Sequence, residues 1–239
     1  MFFLFSGEGA TDLGLCAHQG LACNHETYEY GPMAVFVDQI VEKDYSYSIL
    51  EATCCGFVSK QRLKEKAKEL KPPKRPPLFA GKKRPLETGY FFLNARAMAI
   101  CAREKEAEIN SEVVAVLFRD SDGTASAGRG LWPDKRKSML DGFAEEKFLR
   151  GVPMIPKPKS EAWIICALKA DPYVGCDPLE DRSGNDRSPN SLKGELERLL
   201  GEPATRELLL SKIEDGSIDC HRITMPSFLS FRERLEEVV

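Results

Sequence analysis

Four acidic residues stand at positions where an acid can do chemistry. Glu8 and Asp12 follow the apolar run Phe2-Phe3-Leu4-Phe5, and Asp120 and Asp122 follow Val113-Val114-Ala115-Val116-Leu117-Phe118. Each run reads as a fully buried strand. In open α/β sheets ligands collect beyond the carboxyl ends of strands, so both acidic sets can converge on one crevice. Asp120 and Asp122 flank a single residue, which on a turning backbone lets both carboxylates face one point. Carboxylates so close repel unless a proton or a cation lies between them. With oxygen donors alone, the fitting cation is Mg²⁺ or Mn²⁺ rather than zinc. Asp-Ser-Asp-Gly by itself is also good turn chemistry. Its combination with Glu8-Gly9-Ala10-Thr11-Asp12 after a second buried strand turns the reading toward a metal site.

Strands need flanking elements to hold them in a sheet. Gly31-Pro32 opens a helical pattern in which Met33, Phe36, Val37, Ile40 and Val41 share one apolar face. Residues 45–53, rich in aromatic and branched side chains, predict a strand. A basic helix is expected over 59–70, an Ala-rich one over 94–108 and a third from about 135 to 149. A short strand over 152–155 precedes helices at 161–169 and 191–200, the latter ending at Gly201. Residues 171–190, rich in Asp, Gly, Pro and Ser, read as the longest loop. The chain closes on an amphipathic helix over 226–239, with Phe228, Phe231, Leu235 and Val238 on one side. Strands alternating with helices predict an α/β fold with a mostly parallel central sheet flanked by helices.

Composition bounds the rest. The 239 residues are 42% hydrophobic with a net charge of −3, which supports a sizeable core and argues against disorder. The opening apolar run is too short to span a bilayer and no basic segment precedes it, so neither a membrane helix nor a signal peptide is expected. Eight cysteines, two of them adjacent at Cys54 and Cys55, predict mostly free thiols in a cytoplasmic protein. Charge is unevenly placed: residues 60–84 hold eleven Lys or Arg against two acids, a local +9 on an acidic remainder. Such a stretch is a polyanion-binding face or a solvated helix and loop. The prolines in Lys71-Pro72-Pro73-Lys74-Arg75-Pro76-Pro77 predict that its centre is extended.

An apolar strand leading into Glu-Gly-x-x-Asp, and much later a strand leading into Asp-x-Asp, resembles the Toprim fold of topoisomerases, primases and OLD-type nucleases. The resemblance covers residues 2–12 and 113–123. It extends more loosely to Lys157-Pro158-Lys159-Ser160-Glu161-Ala162-Trp163, similar to a segment of stand-alone Toprim proteins associated with bacterial defence loci. It implies a Toprim-like catalytic domain over 1–170 with a basic insertion about 56–90. A loop and helical C-terminal extension, 171–239, would pack on the same core. It implies a divalent-metal nuclease acting on DNA or RNA, tRNA included, and regulated by a partner ATPase or by self-assembly as an anti-phage effector. Carried across, Glu8, Asp12, Asp120 and Asp122 hold Mg²⁺ or Mn²⁺, and Lys159, or Lys157, stabilises charge on the phosphate oxygens. Glu161 completes the metal shell or, alternatively, opposes the macrodipole of a helix capped by Ser160. Lys74, Arg75, Lys82, Lys83 and Arg84 then hold the nucleic-acid backbone without reading sequence.

Three other readings compete. Residues 113–124 also resemble the nucleophile strand of haloacid-dehalogenase-type phosphatases, with Asp120 as nucleophile and Asp122 as general acid. That reading leaves Glu8 without a role and offers only the loosely spaced Asp215 and Asp219 as a later acidic pair. A zinc site could use Cys16, His18, Cys23 and His25, although their spacing matches no common knuckle. A Toprim-like subunit that docks on an ATPase without catalysis is the third.

Overall fold

The computed structural model describes residues 1–70, 86–121, 132–171 and 174–239. The first apolar run is β1 (Phe2–Ser6), followed by three short strands, β2 (Gly14–Cys16), β3 (Ala22–Asn24) and β4 (Tyr28–Tyr30). Further along lie β5 (Cys55–Val58), β6 (Val113–Phe118) and β7 (Gly151–Met154). Five of them form one sheet in the order β3-β5-β1-β6-β7, in which β5, β1, β6 and β7 are mutually parallel and β3 joins β5 antiparallel. β2 and β4 pair as a separate antiparallel ribbon.

Among the described residues, eight α-helices surround these strands. They are α1 (Pro32–Tyr45), α2 (Lys60–Glu69), α3 (Leu86–Ile109), α4 (Trp132–Glu145), α5 (Ser160–Leu168), α6 (Leu192–Leu200), α7 (Arg206–Glu214) and α8 (Pro226–Glu236). Alternation along the strands sorts the core into two faces. Phe3, Phe5, Val114, Val116 and Phe118 point into a cluster with α1, α5 and α8. Leu4, Val113, Ala115 and Leu117 point into a second cluster with Leu63 of α2, Phe91 and Met98 of α3 and Phe143 of α4. Every residue of β6 is buried, as a central parallel strand covered on both sides requires. On the first face Trp163 stacks on Phe231, meets Phe228 edge-on, and donates its indole N–H to Ser227 Oγ at 2.8 Å. Full burial of such a side chain contributes roughly 1.5–3 kcal/mol, so these contacts fasten the C-terminal helix to the sheet. Residues of 171–239, including Leu179, Leu196 and Leu235, belong to that same cluster. No helix of the described residues is long and apolar enough to cross a membrane.

Several expectations are corrected. Residues 45–53 do not form a strand: the chain leaves α1 through Ser46 in the left-handed region and turns. The cause is Asp38, a buried α1 carboxylate that accepts hydrogen bonds from the backbone N–H of Ile49 and Leu50 and from the Ser48 hydroxyl. The strand comes later, as β5. The basic stretch begins after β5 as α2, which packs on α3 with Leu63 fully buried, and its centre, 71–85, lies outside the described residues. α3 begins at Leu86, well before the expected start at 94, and α4 comes close alongside it: a Cβ on Gly142 would lie 2.4 Å from the Phe92 carbonyl oxygen. α7 has no counterpart in the sequence reading.

The thiols are also not mostly free. Cys16–Cys23 and Cys166–Cys176 are disulfides, leaving Cys54, Cys55, Cys101 and Cys220 as thiols. Folding places the bonded Cα atoms 5.7 and 5.5 Å apart, within bonding reach. The bond between Cys16 and Cys23 removes both thiolates from the zinc set expected with His18 and His25.

Candidate functional site

The site begins where β1 ends. Gly9 has φ +86, and a Cβ there would lie 2.4 Å from Asp12 Oδ2. Only glycine suits that backbone and lets the Asp12 carboxylate fold back over it. The following turn is tied to the start of α1: Met33 N–H donates to the Asp12 carbonyl and Gly31 N–H to the Leu13 carbonyl, both at 3.0 Å. The hydroxyl of Tyr28, buried between Phe5 and Phe57, donates to the same Leu13 carbonyl.

β6 lies beside β1 in parallel register, Ser6 opposite Leu117, so Asp120 leaves the sheet next to the Glu8–Asp12 turn. Ser160, the first residue of α5, joins the two. Its hydroxyl donates to Asp12 Oδ1 and its backbone N–H donates to Asp120 Oδ1 at 3.2 Å. Ser121 ties the β6 end to the approach to α5, donating its N–H to the carbonyls of Pro156 and Pro158 at 3.2 and 3.1 Å. Two carboxylates from different strand ends are thereby held at the positive end of one helix dipole.

The expected site residues come together in part. Burial raises the Asp12 carboxyl to about 6; the Ser160 hydrogen bond opposes the rise, the charges of Glu161 and Glu8 add to it, and that of Lys159 opposes it. Glu8, Glu161 and Lys159 therefore act electrostatically on Asp12, and Ser160 brings Asp120 to the same place. Glu8 is engaged by Lys60, whose Nζ lies 2.8 Å from Oε2. Lys159 pairs with Asp186 at 2.8 Å, and Lys157 with Asp181 at 3.4 Å and Glu180 at 3.6 Å, so both lysines bind acids of the 171–190 loop rather than water alone. Ser160 is not the helix cap expected for it: Lys159 occupies that position, and the Asp120 carboxylate accepts the first-turn N–H instead. Asp122, Lys74, Arg75, Lys82, Lys83 and Arg84 lie outside the described residues.

Three contributors were not read as site residues from the sequence. Ser160 is one, because its role depends on two acids far away in the chain. Arg119 is another, fully buried one residue after β6, with Nη2 donating to Asn94 Oδ1 at 3.0 Å and Nη1 to the Phe118 carbonyl at 2.7 Å. Lys135 is the third, buried on α4 with Nζ donating to the Ser121 carbonyl. Two buried cations thus lie beneath the β6 end. Their only sequence trace is a basic residue directly after an apolar strand and another within a helix.

The donor set suits a hard cation. Glu8, Asp12, Glu161 and Asp120 offer oxygen only, and Asp12 is a half-buried carboxylate whose neighbours of like charge favour any added positive charge. The acids are nevertheless spread around Ser160 and Lys60. Among the described residues, three ligand atoms within 4.8 Å of one another are found instead at Asp219, Cys220 and His221. There the buried thiol is pushed well above its usual range and the imidazole below its own, both by desolvation, so neither Cys220 as thiolate nor His221 as cation is favoured.

Fold and site together define an α/β protein whose mostly parallel sheet has acidic residues just beyond the ends of two adjacent strands. Compared with family models, with curated proteins and with solved structures, the chain has no significant match.

Proposed function

We propose that this chain is a divalent-metal-dependent phosphodiesterase that cleaves DNA or RNA at the ends of β1 and β6. The observation that carries the reading is Ser160 holding Asp12 and Asp120 side by side, with Glu8 and Glu161 close enough to raise Asp12. Glu8, Asp12 and Asp120, with Asp122, are the residues that would hold Mg²⁺ or Mn²⁺. Bound there, the ion supplies Lewis-acid polarisation of the scissile phosphate and an activated water for in-line attack.

The chain's own groups do the rest. Ser160 fixes the directions of two carboxylates, and Glu8 leaves Lys60 to join them on loading. Asp12 gives up its proton near neutral pH, where its carboxylate is required. Lys159 and Lys60, already beside these acids, supply positive charge to phosphate oxygens as negative charge develops on them. Glu161, at the first turn of α5, orients the attacking water. Lys74, Arg75, Lys82, Lys83 and Arg84 hold the nucleic-acid backbone. The resemblance to Toprim motifs points the same way, and it adds regulation by a partner ATPase or by self-assembly in an anti-phage setting.

The test is cleavage of labelled DNA, RNA and tRNA by the purified chain with Mn²⁺, Mg²⁺ or EDTA. Metal-dependent strand cleavage that Glu8→Ala abolishes supports the reading. Release of phosphate from small esters without strand cleavage would instead favour the phosphatase, and neither activity the non-catalytic subunit.

A further inference from the structure

A groove of about 410 Å³ opens between α2 and α3, lined by Lys60, Lys64, Lys68, Tyr90, Leu93 and Asn94. The three lysines recur every fourth residue, so they form one row along α2 about 12 Å long, and all three are exposed. The cations of this helix are sorted by face. Arg62 and Lys66 pair with Glu104, and Lys66 also with Glu69, whereas Lys64 and Lys68 have no carboxylate within ion-pair distance among the described residues. Lys60 connects the row to the candidate site through Glu8.

Tyr90 forms the opposite wall. It is 41% exposed, so its ring is open to a partner. Arg119, itself fully buried, lies over the ring 5.9 Å from its centroid. Asn94 sets the ring's backbone, donating from Nδ2 to the Tyr90 carbonyl while its Oδ1 accepts from Arg119. A cavity of about 470 Å³ along β3 and α3 lacks this bias, since Arg62 and Lys105 are offset there by Glu104 and Glu108.

We propose that the groove seats a single-stranded segment of nucleic acid, with its phosphates along Lys60, Lys64 and Lys68 and one unstacked base on Tyr90. The inference rests on the phosphodiesterase reading and specifies its substrate. A lysine row tracks a backbone without reading sequence, and an exposed ring offers a stacking surface that every base can use. In a duplex the base faces are already stacked on one another, so the ring would have no partner there. The groove has the volume of a small-ligand site, which suits a splayed nucleotide.

The test is fluorescence anisotropy of the full chain in EDTA, where metal-dependent cleavage is suppressed, with labelled single strands and duplexes. Single strands are expected to bind more tightly than duplexes. Tyr90→Ala should weaken single-strand binding about tenfold, while Tyr90→Phe, which keeps the ring, stays within about twofold. The exposed double variant Lys64→Ala/Lys68→Ala should lower the slope of log affinity against log salt by about 1.4. Matching melting temperatures show that the variants fold. Unchanged binding in both Tyr90→Ala and the lysine variant overturns the groove, as does equal loss in Tyr90→Ala and Tyr90→Phe, or equal affinity for duplex. If wild type cleaves with Mn²⁺ while the variants bind normally, the groove alone fails. If the variants lose binding as expected but wild type never cleaves, the groove stands and the phosphodiesterase reading fails.

Discussion

Replacing Asp12 with Asn tests the electrostatics of the site through stability. The carboxyl is raised from 3.8 to about 6, chiefly by burial. The native state therefore holds an extra proton between those values, and folding stability falls as pH rises through that window. Below about pH 4 the penalty is absent; above about pH 6 it is fully present. A shift of about two units corresponds to about 3 kcal/mol. Asn keeps an oxygen to accept from Ser160 but carries no charge. In EDTA, Asp12→Asn should match wild type near pH 4 and exceed it by about 3 kcal/mol at pH 8, raising the melting temperature by about 6–12 °C. The assay is thermal unfolding by circular dichroism at half-unit pH steps. Adding Mg²⁺ at a hundredfold excess over its dissociation constant should return about 2.7 kcal/mol to wild type and little to the variant. A difference independent of pH, or a variant less stable at pH 8, would refute the reasoning.

Glu8→Ala and Asp120→Ala should each lower metal-dependent cleavage by on the order of a thousandfold, read in a gel assay, with circular dichroism spectra unchanged. If Asp120 serves as ligand and not nucleophile, acid-quenched protein incubated with a phosphate ester and Mg²⁺ should carry no adduct of about 80 Da at Asp120 by mass spectrometry. Cys166 and Cys176 close a loop of sequence separation 10, so Cys176→Ser should cost about 2–3 kcal/mol in urea unfolding. Asp38→Ala leaves the Ile49 and Leu50 N–H groups without their acceptor, and should destabilise the chain by about 2 kcal/mol in the same experiment.

The central strands were legible because burial on both faces demands continuous apolar runs, and 2–5 and 113–118 are such runs, each ending in acids. α1 was legible from the spacing of Met33, Phe36, Val37 and Ile40, all of which are buried. The ribbon of β2 and β4 was not, since three-residue strands are too short to show alternation. Residues 45–53 misled because their aromatic and branched content favours a strand, while a single buried carboxylate, Asp38, folds them into a turn. The disulfides escaped because bonding depends on where the Cα atoms end, not on spacing along the chain. At the site, Glu8, Asp12 and Asp120 announced themselves as acids after apolar runs. Ser160, Arg119 and Lys135 could not, since each acts through partners that only the folded chain supplies.

The most direct measurement of the central claim is anomalous scattering from Mn²⁺ in crystals of the chain. The account predicts a peak within about 2–2.5 Å of carboxylate oxygens of Asp12 and Asp120, with Glu8 released from Lys60 to join it. A peak at Asp219, Cys220 and His221 alone, or none at the ends of β1 and β6 under saturating Mn²⁺, would contradict it.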